Sequence, residues 1–199
     1  RIMNVVKHYD LLIDEGNDSF RDPPVLQEYM NKWDGQDFIN SMALDMEKTV
    51  LEIGIGTGRI AGKVAPHCLR LIGIDISPKT IERAKNNLRV YNNIDYLCAD
   101  FLQYPFACTY DVIYSSLTMM HFENKQKVIE KVDSLLNNVG KFCLSIDKSQ
   151  SEYVDMGDRK LRVYPDTVDR ITSLISKTAM KIDEVQEIEF AFLISCRKQ

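Results

Sequence analysis

The sequence predicts an α/β fold: a doubly wound, mostly parallel sheet of seven strands with a C-terminal antiparallel hairpin and an N-terminal helical cap. Three observations carry this expectation. From residue 49 onward, short apolar runs alternate with segments of helical period, the pattern of parallel strands joined by crossover helices. The first run is followed by three alternating glycines, Gly54, Gly56 and Gly58, and then by another helical pattern. The last two apolar runs, 182–188 and 190–196, follow each other so closely that only a hairpin can join them.

The 199 residues fit one domain with a single sizeable core. Residues 1–47 are read as a helical cap or lid and 48–199 as the core. Within the cap, 19–24 is polar and proline-bearing, hence a loop. Residues 26–33 and 38–44 look helical, with Phe38, Ile39 and Met42 on one face. Tyr9 and Trp33 are placed to close over a site, although packing is the commoner use of such aromatics.

The first strand leads into Glu52 and the glycine turn, then a helix marked by Ile60, Ala61, Val64 and Ala65 and ended by Pro66. Residues 69–76 form a second strand reaching Asp75. Ser77 and Pro78 supply an N-cap and a first helical proline, and Ile81, Ala84 and Leu88 mark the buried face that follows. Residues 94–99 form a third strand, which ends at Asp100-Phe101, and 110–115 a fourth, which ends at Ser115-Ser116. A helix over 124–136 then stops at Gly140, 141–146 is a fifth strand, and Pro165-Asp166 opens a last helix. The polar stretch 147–165 reads either as the border of an acceptor pocket or as a surface loop.

In an open α/β sheet, ligands bind beyond the carboxyl ends of the strands. Glycines at that point let a ligand lie against the backbone, where free N–H groups at a helix start face it. The turn departs from the dinucleotide fingerprint, because Arg59 stands where G-x-G-x-x-G requires its third glycine. A carboxylate at Asp75 offers two acceptor oxygens, as a ribose diol requires.

The segment Glu52-x-Gly54-x-Gly56-x-Gly58 resembles the first motif of the class I S-adenosylmethionine-dependent methyltransferases, and the likeness extends over residues 49–196. The resemblance implies a seven-stranded Rossmann-like fold and S-adenosylmethionine as cofactor, with S-adenosylhomocysteine as product. It implies that Glu52 and the Gly54 carbonyl hold the methionine ammonium and that Gly56 and Gly58 complete the turn. Asp75 would bind the ribose, Ile76 the adenine face, Asp100 the adenine amine and the Phe101 N–H the ring, with Ser116 at the fourth strand end. His121, in the segment SLTMMHF, resembles a histidine that small-molecule methyltransferases place beside the cofactor. It is the candidate catalytic base for a hydroxyl or amine, against a plainer reading as a packing or capping residue. The HYD segment at residues 8–10 resembles the family's cap. Asp147 and Tyr153 are further candidates.

A net charge of −4 and a pI near 5.5 give no electrostatic case for nucleic acid or an anionic membrane. The fourth strand lacks the asparagine–proline–proline–aromatic pattern associated with enzymes that methylate amino groups of nucleic acids and proteins. A small-molecule methyl acceptor is therefore expected. No apolar run reaches the roughly 20 residues of a bilayer span, and no signal-peptide pattern opens the chain. The five cysteines show no metal spacing, so buried thiols in a reducing cytoplasm are expected, Cys98, Cys143 and Cys196 among them. The competing functions are a non-catalytic S-adenosylmethionine-binding module and an NAD-dependent oxidoreductase.

Overall fold

The computed structural model describes residues 1–199. Its main sheet contains β2 (Thr49–Ile53), β3 (Arg70–Asp75), β4 (Ile94–Cys98), β5 (Tyr110–Ser116), β6 (Leu136–Asp147), β9 (Met180–Glu187) and β10 (Ala191–Lys198). Their order is β4-β3-β2-β5-β6-β10-β9, and only β10 runs antiparallel to its neighbours. The expected terminal hairpin is present, but its antiparallel member lies between β6 and β9, which leaves β9 at the edge. The strand order turns at the β2–β5 pair, where Glu52 lies in register with Tyr114.

Successive side chains of a strand point to opposite faces, so a sheet covered on both sides needs apolar residues at every position. Leu51, Ile113, Phe142 and Ile194 enter one core, together with Val128, Ile129 and Val132 of α6 (Lys125–Leu135) and Ile171 and Ile175 of α7 (Val168–Ile175). Val50, Leu71, Val112 and Tyr114 enter the other, with Ala61 and Val64 of α4 (Ala61–Val64) and Ile81 of α5 (Pro78–Asn87). Phe38, Ile39 and Met42 join this second core as expected; Phe38 and Ile39 lie in α3 (Gly35–Ser41) and Met42 follows it.

Ahead of the sheet lie β1 (Ile2–Met3), α1 (Val5–Asp14), capped by the Asn4 side chain, and α2 (Pro24–Met30). The stretch after β6 is not wholly a loop. Tyr153–Asp155 (β7) and Lys160–Arg162 (β8) pair antiparallel, and β1 adds in parallel to β8. The N-terminus supplies the third strand, a pairing over more than 150 residues that no local pattern encodes.

Three further expectations are corrected. Gly140 does not stop α6: β6 begins directly at Leu136, and Val139 carries the left-handed turn at φ 58°. Glycine is needed at 140 because a Cβ there would lie 2.8 Å from the Asn137 carbonyl. Pro165-Asp166 does not open α7, which starts at Val168 after the N-cap Thr167; Asp166 pairs instead with Lys125 at 2.9 Å. Cys98 is exposed because β4 is an edge strand, whereas Cys143 and Cys196 are buried. No helix is long and apolar enough to cross a membrane.

Candidate functional site

The carboxyl ends of β2, β3, β4 and β5 open into one cavity of about 300 Å³. Gly54 and Gly56 form its floor after β2, Asp75 and Ile76 its wall after β3, and Asp100 and Phe101 its wall after β4. Ser116, Leu117, Thr118 and His121 continue from β5, and Val5 and Tyr9 of α1 supply the roof. Eight of the residues singled out in the sequence therefore meet in one place, with Tyr9 above them. Glu52 and Gly58 do not reach the wall. Trp33 also stands apart, packed at a tilt against Phe190 with ring centroids 4.9 Å apart.

The glycine turn makes different demands at each position. Gly54 has φ 79° and its missing side chain is replaced by Thr118; Gly58 has φ 104° and a Cβ would strike Leu88 Cδ1 at 2.7 Å. Gly56 has φ 59° and open space where a Cβ would project. Two of these glycines thus serve packing, and the middle one keeps the floor clear.

Asp75 shapes that floor. Its Oδ2 accepts from the Gly56 N–H at 3.0 Å and its Oδ1 from the Ser77 N–H at 3.1 Å. Each oxygen keeps a second lone pair. Burial raises the carboxyl's pKa, opposed by these backbone donors. After β4, Asp100 Oδ1 accepts from the Leu102 N–H at 2.9 Å, and Lys131 Nζ donates to the Phe101 carbonyl at 2.5 Å. The Phe101 N–H donates to no group of the protein. That leaves the amide of a buried wall residue free to donate to a ligand.

Glu52 lies beneath the turn, where its Oε1 accepts from Tyr114 Oη at 2.8 Å. Burial pushes its carboxyl well above the usual carboxylate range. Beside it, the buried Arg59 holds Asp34 bidentately, Nη1 to Oδ1 at 3.1 Å and Nη2 to Oδ2 at 2.5 Å. Ser116 Oγ donates to the same Oδ2 at 2.9 Å. Leu117, next along the wall, has φ 53°, a conformation costing roughly 1–2 kcal/mol for a residue with a side chain. Strain of this kind concentrates where a site over-determines the backbone.

His121 lies in a short 3-10 turn (Met119–His121) and does not cap α6, which Asn124 does. Its Nε2 is 2.7 Å from Tyr9 Oη, and its Nδ1 is buried without a partner. Burial, reinforced by His8 and Lys125, lowers its pKa to about 4. The turn is anchored by the fully buried Lys125, whose Nζ donates to the Met119 carbonyl at 2.7 Å and the Tyr164 carbonyl at 2.6 Å. Asp10 joins the roof to the wall, accepting from Ser77 Oγ at 2.6 Å.

Sequence reasoning did not find Asp34, Arg59, Lys125 or Lys131. Only Lys125 left a signal: it shares an i, i+3, i+4, i+7 stripe with Val128, Ile129 and Val132, an unusual place for a charge.

A doubly wound sheet with a glycine turn after one strand and acids closing the next two defines a nucleoside-binding α/β protein. Within that class, the chain resembles in sequence and fold the class I Rossmann-like S-adenosylmethionine-dependent methyltransferases, whose methyl donor is S-adenosylmethionine. A family model described as a methyltransferase domain matches residues 51–144. An uncharacterized methyltransferase of Alkaliphilus oremlandii is 33% identical over 104 residues, covering 51% of this chain and 47% of that protein. Another, from Geobacillus kaustophilus, is 27% identical over 191 residues, covering 87% and 88%. The chain spans about half the length, or less, of the first curated relatives it matches. The crystal structure of the N-methyltransferase NodS from Bradyrhizobium japonicum with S-adenosylhomocysteine superposes with a TM-score of 0.76 at 19% identity, covering 98% of this chain and 99% of that one.

Proposed function

We propose that the protein transfers a methyl group from S-adenosylmethionine to a small-molecule acceptor. The observation that carries this reading is the single cavity at the strand ends, roofed by Tyr9. Its residues fit the cofactor. The free Phe101 N–H suits a purine ring nitrogen, Asp100 its exocyclic amine, and the spare lone pairs of Asp75 the ribose hydroxyls. Ile76, in the same cavity wall, suits packing against an adenine face, and the open side of Gly56 suits a ligand against the backbone. Gly54, after β2, and Ser116 and Thr118, on the β5 side, are left for the methionine end.

The cofactor supplies a methyl already activated on a sulfonium, so an in-line displacement needs alignment more than acid–base help. The chain's part is to hold the two reactants in line and exclude water, and the α1 roof does both. The net charge of −4 supports a small acceptor over a nucleic-acid one. His121 fits a hydrogen-bonding and orienting role. With its pKa near 4 it is neutral at physiological pH, and a base tuned for proton abstraction would sit closer to 7.

Calorimetric titration with S-adenosylmethionine, S-adenosylhomocysteine and NADH tests the cofactor. Binding of both adenosyl ligands and not of NADH is expected; binding of NADH alone would overturn the reading in favour of an oxidoreductase. Labelled-methyl transfer to a panel of small alcohols, phenols, amines, carboxylic acids and thiols then tests turnover. Cofactor binding with no transfer to any of them would leave a non-catalytic binding module.

A further inference from the structure

Arg59, which breaks the dinucleotide fingerprint, is the end of a short hydrogen-bond chain that reaches the cavity. Its guanidinium occupies both oxygens of Asp34, a carboxylate with no exposed side-chain surface. The remaining capacity of Asp34 is taken by the Gly35 N–H at 2.6 Å on Oδ1 and by Ser116 Oγ at 2.9 Å on Oδ2. Asp34 itself is held in place through the preceding carbonyl, since Ser145 Oγ of β6 donates to Trp33.

A hydroxyl has one proton and two lone pairs, and an ionised carboxylate only accepts. Ser116 must therefore give its proton to Asp34, which leaves its oxygen only lone pairs to offer another partner. Because Ser116 lines the cavity, the wall there presents an acceptor and not a donor. The position matters as well. Following the strand order, the purine- and ribose-suited groups lie at β4 and β3, and Ser116 lies beyond β2 on the opposite side.

We infer that Asp34, clamped by Arg59, fixes Ser116 as a one-way hydrogen-bond acceptor for the ammonium group at the methionine end of the cofactor. This rests on the methyltransferase reading above. It moves ammonium recognition away from Glu52, which does not reach the wall and whose Oε1 already accepts from Tyr114. Asp34 and Arg59 are positioning residues: they act through Ser116 and touch no ligand.

The test compares two ligands that share adenosine and differ in the amino acid. S-Adenosylhomocysteine carries the ammonium, and 5′-methylthioadenosine lacks it. Dissociation constants are measured calorimetrically for wild type, S116A, D34N and the S116A/D34N double variant. In S116A, affinity for S-adenosylhomocysteine should fall about tenfold, as for a hydrogen bond to a charged group, while that for 5′-methylthioadenosine changes less than about twofold. D34N should repeat this ligand-selective loss, and the double variant should add little to either single change. A purely structural role for Asp34 would weaken both ligands alike and overturn the inference. So would an S116A protein with unchanged discrimination, or an E52Q protein that loses the discrimination in its place. S116A keeps the buried ion pair and remains informative even where D34N fails to fold. Wild type that binds neither ligand would instead overturn the cofactor reading, and this inference with it.

Discussion

Tyr9 Oη and His121 Nε2 meet at 2.7 Å in the lining of the cavity, joining residues 112 positions apart in the sequence. The rings cross edge to face at 87°, so the contact is both a hydrogen bond and an aromatic one. Tyr9→Phe keeps the ring and removes the bond. Since His121 Nδ1 already has no partner, the variant leaves neither ring nitrogen bonded in the closed state. A neutral hydrogen bond contributes about 1 kcal/mol, so cofactor affinity should fall roughly threefold to tenfold as the roof loosens. Calorimetric titration with S-adenosylhomocysteine measures it. Unchanged affinity would mean that the pair does not hold the roof.

The same histidine predicts a pH dependence of stability. Its pKa is about 4 in the folded protein and near 6.5 when the chain unfolds. Between these values the unfolded state binds more protons, so stability rises with pH through the window. The contribution is complete above about pH 6.5 and is lost as pH falls toward 4. Its full size is on the order of 3 kcal/mol, from 1.36 kcal/mol per unit. Thermal melts of wild type and His121→Gln across pH 4–7 should show a flatter dependence in the variant. Parallel curves would show that His121 titrates as it does in the unfolded chain.

Two glycines of one turn should fail in different ways. Gly58→Ala drives a Cβ into Leu88 Cδ1 at 2.7 Å while holding φ 104°, so the loss is one of folding stability, about 1–3 kcal/mol for overpacking alone. Gly56→Ala meets no protein atom and costs only the left-handed backbone, roughly 1–2 kcal/mol. Its new methyl projects where the floor was open. Denaturant midpoints should therefore fall further for Gly58→Ala, and cofactor affinity further for Gly56→Ala. The reverse ordering would place the ligand on the other side of the turn.

Asp75 holds the turn and faces the cavity at once. Replacing it with Asn keeps one acceptor oxygen and removes the charge, and one of the backbone donors, Gly56 N–H or Ser77 N–H, then faces an amide nitrogen. Affinity for S-adenosylhomocysteine and for 5′-methylthioadenosine should drop together by about tenfold to a hundredfold, at 1.5–3 kcal/mol per charged hydrogen bond. Equal binding by wild type and variant would remove Asp75 from the ribose role.

What the sequence revealed and what it hid divide along physical lines. Strands buried on both faces are written as unbroken apolar runs, which made β2, β3, β5 and β6 visible, and polar residues at strand ends marked Asp75, Ser116 and, after the edge strand β4, Asp100. The glycine turn was visible for the same reason: few other residues tolerate its backbone. Asp34 and Arg59 stayed hidden because an ion pair between a cap loop and a turn has no spacing rule; each looks like an ordinary surface charge. The β1–β8 pairing was equally invisible, since two residues of β1 carry no periodicity. Cys98 was misread because its strand is apolar in composition yet lies at an edge.

Lys125 tests how far the hidden part supports the visible one. Its ammonium is fully buried, pairs with Asp166 at 2.9 Å and donates to the carbonyls of Met119 and Tyr164. Burial lowers its pKa, and Asp166 opposes that shift. Lys125→Met leaves a buried carboxylate without its partner, which costs about 3–5 kcal/mol. Removing that orphan with Lys125→Met/Asp166→Asn should recover part of the loss, although two carbonyls stay unpaired. The two variants also separate stability from site geometry. Both lose the bond to Met119 that anchors the turn carrying His121, so both should bind S-adenosylhomocysteine more weakly than wild type even at temperatures where each is folded. Chemical denaturation and calorimetry on the same samples make the comparison. A double variant that regained stability and full affinity together would assign Lys125 to the fold alone and leave His121 to be held by Tyr9.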